Sequence, residues 1–312
     1  MKTVFVINPK AGKKKDVEKL KNHILSEAEK LNKEAEVYVT ESVGDAEVFA
    51  REYLKNHGKA RFIACGGDGT LSELVNGIYG FEGAEAGVMP MGSGNDFCRN
   101  FPGDCPFGDV GAQLLGSTTE CDLIRYTTST SRGTKVGYCV NMFNIGFDCN
   151  VADTTNTLKS KTFISGSIAY ILSIFFILAK KKGASLTIDM DGKRVHSGQL
   201  LLTAIANGCF CGGGVKSNPV ARVDDGIIDV NIVNNVSRLT FLSKLPYYMK
   251  GTHTELKNIE KIITAHRCRT MTITPESGTM RLCVDGEIID AGRTEIEIVK
   301  RGFNFVLPNN GV

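Results

Sequence analysis

The chain predicts an α/β protein in two parts, a doubly wound amino-terminal domain followed by an antiparallel β-sandwich domain. Three observations lead there. Up to about Cys121, short apolar runs alternate with stretches of helical period. After Asp122 the apolar runs are joined by tight turns, in the manner of hairpins. The apolar runs of the first part end in turns rich in glycine and small polar residues.

In order, the first part reads as strands at Thr3–Ile7, Ala35–Val39, 61–65 and 86–89, with helices between them. The first helix runs from Asp16 to about Lys33, with Val17, Leu20, Ile24 and Leu31 near one face. Ala46, Phe49, Ala50 and Tyr53 share one face of the second. The second part reads as strands at 185–190, 199–206, 226–233, 269–274, Met280–Val284 and 295–300, with an Asp191-Gly192 hairpin turn after the first of them.

Three turns carry chemistry. Cys65-Gly-Gly-Asp-Gly-Thr70 places a carboxylate among glycines where a strand gives way to a helix. Its glycines allow close approach and positive φ, and Thr70 and Glu73 have capping-box spacing. Helix starts attract anions, so Asp68 there implies a divalent cation between its carboxylate and a polyphosphate. A tight turn with a solvated Asp is the plain alternative. Met89-Pro-Met-Gly-Ser-Gly-Asn-Asp-Phe97 repeats the pattern, with Ser93, Asn95 and Asp96 as polar groups, and an ordinary Asx turn would look similar. Asn8-Pro-Lys-Ala-Gly12 follows the opening strand. In open α/β sheets ligands bind beyond the carboxyl ends of strands, so the three turns support one another as a single site. The P-loop pattern, the third glycine of a dinucleotide turn and a protein-kinase catalytic loop are all missing.

Gly66-Gly-Asp-Gly-Thr70, Gly92-Ser-Gly-Asn-Asp96 and Val284-Asp-Gly-Glu287 together resemble the diacylglycerol kinase family of lipid kinases, in its bacterial branch without membrane spans, over nearly the whole chain. The glycine-aspartate turn is shared with NAD kinases, sphingosine kinases and phosphofructokinases. Its pairing with the other two motifs is the specific signal. The resemblance implies a nucleotide-binding catalytic domain at 1–122, joined by a returning segment at about 300–312, and a lipid-substrate domain at 123–299. The active site would lie in the cleft between them.

It further implies ATP bound along Asn8, Pro9, Lys10, Ala11, Gly12, Thr40, Gly66, Gly67, Asp68, Gly69, Thr70, Leu71, Ser72, Glu73, Ser93, Asn95 and Asp96, with Asp68 anchoring a catalytic Mg²⁺. Glu287 would be the base that accepts the proton of a lipid hydroxyl, and Asp122 would support metal and active-site water. A type I′ hairpin with an exposed acid is the plain alternative for Val284–Glu287. The loop Ala221-Arg-Val-Asp-Asp-Gly-Ile227 matches one that holds a structural Mg²⁺, here through Asp225 and the main-chain oxygens of Arg222 and Ile227. A β-turn on Asp225-Gly226 is its competitor.

The 312 residues suffice for about two domains, and apolar and charged contents of 42% and 23% are ordinary globular values. A net charge of +3 is too small to imply a nucleic-acid partner. Clusters at Lys13, Lys14 and Lys15, at Lys159 and Lys161, and at Lys180, Lys181 and Lys182 read first as solvated faces and second as contacts for phosphates or an anionic membrane. Ten cysteines with no Cys-x-x-Cys pair and no apolar leader imply reduced thiols, a cytoplasmic setting and no structural zinc. Asn235-Val-Ser237 is then a chance sequon. The apolar run 163–179 is short for a span and reads as a packed helix, with peripheral contact at the inner face of the membrane as the alternative.

The reading is therefore ATP-dependent phosphorylation of the primary hydroxyl of diacylglycerol to phosphatidic acid, with a membrane lipid alcohol as partner. The alternatives are another lipid alcohol such as a sphingoid base, or a non-catalytic nucleotide-binding paralogue. NAD is disfavoured as acceptor by the second and third motifs. A homodimer is implied by resemblance alone.

Overall fold

The structure, a computed structural model, describes residues 1–12, 16–146 and 183–309. The lysine clusters and the apolar run 163–179 singled out above lie outside the described residues. Among the described residues, no helix is long and apolar enough to cross a membrane. Contacts divide the chain into two units, one of residues 1–122 and 300–312 and one of residues 123–299.

The first unit runs β1 (Thr3–Ile7), α1 (Val17–Lys30), β2 (Ala35–Val39), α2 (Asp45–His57), β3 (Ala60–Gly66), α3 (Asp68–Ile78), β4 (Ala84–Pro90) and the short α4 (Val110–Leu115). Asp16 caps α1 by accepting from the Lys19 amide at 3.1 Å. The helix stops at Lys30, before the expected Lys33, because Asn32 turns left-handed with φ 51°. The strands pair in parallel in the order β2-β1-β3-β4. Beside β4 lie Asn304 and Phe305 of β15 (Thr294–Leu307), the strand that brings the chain back into this unit.

Phe5, Ile7, Ile24, Ile63, Met89 and Val306 form a core on one side of that sheet. Phe305, fully buried, stacks on Phe101 at 4.8 Å and meets the edge of Phe97 at 5.0 Å. Burial of each such ring contributes about 2–3 kcal/mol, so the returning strand is held chiefly by its aromatic anchor.

The second unit contains most of β5 (Ser117–Thr130), then β6 (Gly133–Cys139), β7 (Met142–Gly146), β8 (Ala184–Met190), β9 (Lys193–Ala206), β10 (Ile228–Asn234), α5 (Arg238–Lys250), β11 (Ile263–Cys268), β12 (Thr270–Pro275), β13 (Met280–Val284), β14 (Glu287–Ala291) and the first part of β15. Pairing here is antiparallel, running β14-β13-β7-β9-β8-β12-β15, with β10 and β11 joined to β9 and β6 paired with β5. The unit is a β-sandwich. Ile232 and Val233, neighbours along β10, go to different clusters, as the two-residue pleat requires. Phe143, Ile145, Ile205 and Leu282 join Ile232, while Phe241 and Tyr248 of α5 pack with Val233.

Candidate functional site

The connection from β1 to β2 leaves on one side and β3 lies on the other, so the sheet of the first unit has its switch point at the ends of β1 and β3. The three glycine turns meet there. The Asn8 amide donates to the Cys65 carbonyl at 3.0 Å, and the Met91 and Gly92 amides both reach the Gly66 carbonyl, at 2.7 and 3.2 Å. Side chains tie the same loops, since Asn8 Nδ2 donates to Thr70 Oγ1 at 3.1 Å and Asn95 Oδ1 accepts from the Gly92 amide at 3.0 Å. Thr40, at the end of β2, donates its amide to the Ile7 carbonyl at 2.9 Å.

Gly66 and Gly67 of the 66–70 turn work by size, whereas a Cβ on Gly69 would meet nothing. Gly66, Gly67 and Gly69 do not have the positive φ that the sequence suggested. A Cβ on Gly66 would lie 2.3 Å from Thr70 Oγ1, and one on Gly92 would lie 2.6 Å from Gly67 Cα. Gly12 has both reasons: φ is 70°, and a Cβ would meet the Met91 carbonyl oxygen at 2.0 Å.

Asp68 opens α3. Its Oδ1 accepts from the Phe97 amide at 3.0 Å, which fastens the helix start to the loop carrying Asn95, Asp96 and the aromatic anchor. The nearby Cys98 thiol is pushed up to about 12, by burial first and the charge of Asp68 next, and so stays neutral. The expected capping box is absent. Gly67 is the N-cap without a side-chain bond, Thr70 is committed to Asn8, and Glu73 Oε2 accepts from the Ala46 amide at 3.3 Å in the first turn of α2. Gly67 has no side chain with which to cap α3, and the acidic Asp68 lies in the first turn of that helix.

The remaining residues of the first unit differ in exposure. Lys10, Gly12 and Ser93 are exposed, Thr40 and Asp96 are buried, and Leu71 lies in the core at 1% exposure. Asp122 is buried, with Oδ1 accepting from the Arg301 amide at 2.8 Å, where Arg301 has φ 52°. That bond holds the bend of the returning chain.

In the second unit, Asp285-Gly286 is a type I′ turn with φ values of 46° and 93°, closing the β13–β14 hairpin. Glu287 follows it, exposed and paired by its backbone to Val284. Asp285 does more than shape the turn. Its Oδ2 accepts from the Val140 amide at 2.8 Å, and its Oδ1 from the amides of Asn141 and Met142 at 2.9 and 3.1 Å. Three consecutive N–H groups make an anion nest around the carboxylate. Cys139 Sγ adds a fourth donor at 3.2 Å, and its thiol pKa is pushed well up by burial and then by Asp285, which keeps the proton in place. Sequence reasoning missed this clasp, because its two sides lie more than a hundred residues apart.

The expected structural cation fares differently. Asp225 Oδ1 accepts from the Ile227 amide at 3.1 Å, and Oδ2 from Arg267 Nη2 at 2.5 Å. Arg222 turns its side chain to Asp224 at 3.2 Å. The Ile227 N–H and the Arg267 guanidinium thus hold the two oxygens of Asp225. Among the described residues, no group of three or more His, Cys, Asp or Glu is placed to hold a metal. As arranged, both carboxylate oxygens of Asp225 are engaged by protein donors.

A parallel α/β unit with phosphate-type turns at its switch point, joined to a β-sandwich carrying a second acidic turn, defines the class of NAD-kinase-like and lipid-kinase-like folds. Residues 2–126 match the diacylglycerol kinase catalytic domain, and residues 141–305 match the YegS C-terminal NAD kinase beta sandwich-like domain. A diacylglycerol kinase of Staphylococcus aureus (strain bovine RF122 / ET3-1) is 32% identical over 257 residues, covering 80% of this chain and 76% of that protein, and its counterpart from strain MRSA252 matches equally. A diacylglycerol kinase crystal structure from Bacillus anthracis str. Sterne aligns with TM-score 0.69 at 18% identity, over 100% of this chain and 98% of that one. A second crystal structure from the same organism aligns at 0.77 and 22% with the same coverage, and both likenesses concern the fold. The chain belongs to the diacylglycerol kinase family and is a phosphotransferase of the lipid-kinase kind.

Proposed function

We propose that this protein transfers the γ-phosphoryl group of ATP to the primary hydroxyl of diacylglycerol, giving phosphatidic acid and ADP. The observation that carries the reading is the meeting of three glycine turns at the carboxyl edge of a parallel sheet, beside the start of α3. Family membership supplies the reaction class.

In this reading the triphosphate lies along Asn8 to Gly12, Thr40, Gly66 to Glu73 and Ser93, with Asn95 and Asp96 holding the loop beyond it. Leu71 contributes only backbone, because its side chain is core. Magnesium arrives with the nucleotide as part of the substrate, and Asp68 is the carboxylate that would hold it while it neutralises charge developing on the phosphates. The lipid oxygen bonds to the γ-phosphorus, the bond to the β–γ bridging oxygen breaks, and Glu287 takes the hydroxyl proton. Exposure of Glu287 on a rigid hairpin suits a base that must meet a hydroxyl delivered from a bilayer. Asp122 is assigned a supporting place through the bend it holds.

The YegS-type match of the second unit leaves one alternative open, another lipid alcohol such as a sphingoid base as acceptor. Purified protein with Mg-ATP and a panel of lipid alcohols in mixed micelles decides between them. Phosphatidic acid as the main product is expected, and its absence beside another phospholipid would replace diacylglycerol as the acceptor. Glu287→Gln should lose turnover and keep ATP binding by calorimetry, whereas near-normal turnover removes Glu287 from the reaction.

A further inference from the structure

We infer that Arg267 is the built-in counter-ion of the Arg222–Ile227 loop, and that the second unit is held together without the divalent cation its motif implies. In the β10–β11 register Asp229 and Arg267 are direct partners. From that position Arg267 Nε donates to Asp229 Oδ1 at 3.1 Å while Nη2 reaches Asp225 Oδ2 at 2.5 Å. One planar guanidinium therefore bridges two carboxylates, which suits its fixed fork of donors better than any lysine.

The burial of the two acids explains why the bridge is needed. The Asp229 side chain is only 3% exposed, and that of Asp225 22%. Two acids at these positions repel one another in a medium that screens poorly, and Asp229 has its pKa raised by burial first, with the charge of Asp225 adding to the rise. Arg267 opposes both effects. A divalent cation on Asp225 Oδ2 would compete with the guanidinium for that oxygen, and an arginine displaced from it would be drawn off Asp229 as well. Leaving would strip a buried carboxylate of its charged partner. Asp225 also uses its other oxygen to close the turn at Gly226, where φ is 71°.

The inference is independent of the lipid-kinase reading, since its test uses neither nucleotide nor lipid. Thermal melts of the whole chain are recorded in chelator and in Mg²⁺ alone, for wild type and for Asp225→Asn. The difference between chelator and Mg²⁺ should be the same in both proteins. A rise with Mg²⁺ present in wild type and missing in Asp225→Asn would overturn the inference. Arg267→Met, which keeps the apolar stem and removes the charge, should melt several degrees lower in chelator. Mg²⁺ should restore part of that loss, and Asp225→Asn in the same background should abolish the restoration. Arg267→Met melting like wild type, with no response to Mg²⁺, would equally overturn it. Arg267→Lys should lie between the two in stability and stay indifferent to Mg²⁺, because one ammonium replaces the charge but cannot span both acids.

Discussion

The two acid-bearing turns, Gly66-Gly-Asp-Gly-Thr70 in the first unit and Val284-Asp-Gly-Glu287 in the second, look alike in sequence and use their glycines for different ends. In the first, Gly66 and Gly67 make room: backbone without positive φ is pressed against Thr70 and Gly92, where a Cβ on Gly66 would collide and one on Gly67 would stand 3.2 Å from Gly92 Cα. In the second, Gly286 sits in open space and is needed for its φ of 93°. Asp68 accepts the Phe97 amide across a loop, and Asp285 gathers three consecutive amides and a thiol. A carboxylate beside glycine in a kinase motif is thus not catalytic by location. Asp285, held by three amides and a thiol, builds its turn, and the acid proposed to do the chemistry is Glu287, two positions further on.

If that distinction is right, the largest stability loss at either turn belongs to a residue outside the proposed catalytic set. Asp285→Ala strips the anion from a nest of three N–H groups and should cost about 3–5 kcal/mol. For a unit of this size that lowers the melting transition by about 10 °C. A fall of a degree or two would mean that water replaces the carboxylate cheaply, and the contrast with Glu287 would lapse.

Local features of both turns were legible in the sequence, and their partners were not. Thr3–Ile7, Ala35–Val39 and Met280–Val284 are strands where alternation and apolar runs put them, because each sets its own face. Asp285-Gly286 is readable as a type I′ turn because two positive φ values demand such residues. The capping box failed because Glu73 had a better use at the start of α2, twenty-seven positions away. β6 has four exposed residues in succession, and α5 carries Pro246 in its interior, so neither has a clean period to detect. At the proposed site the candidates of the first unit could be grouped, since all follow strands. Arg267 could not be foreseen, because only strand register brings it to Asp229.

Glycine substitutions sharpen the same contrast at a smaller scale. Gly92→Ala drives a methyl into the backbone of Gly67, so the loops must part. Overpacking of this kind costs about 1–3 kcal/mol, and the displaced turn should weaken ATP binding in calorimetry as well. Gly286→Ala meets no neighbour and pays only for left-handed backbone, about 1 kcal/mol. Equal losses from the two changes, or a loss of ATP affinity from the second, would break the division between glycine for space and glycine for φ.

The smallest stability effect is expected at the residue with the largest proposed chemical role. Glu287 is exposed and among the described residues makes no side-chain hydrogen bond or ion pair, so Glu287→Ala should leave the melting transition within about 0.5 kcal/mol of wild type. Asp285→Ala and Glu287→Ala, two positions apart, should then separate cleanly: one unfolds early, the other melts normally and fails to turn over. A Glu287→Ala protein destabilised as much as Asp285→Ala would show the whole hairpin tip to be structural. The glutamate would then lose its claim to be the free acid of the pair, since a base that must pick up a proton cannot also be holding the turn closed.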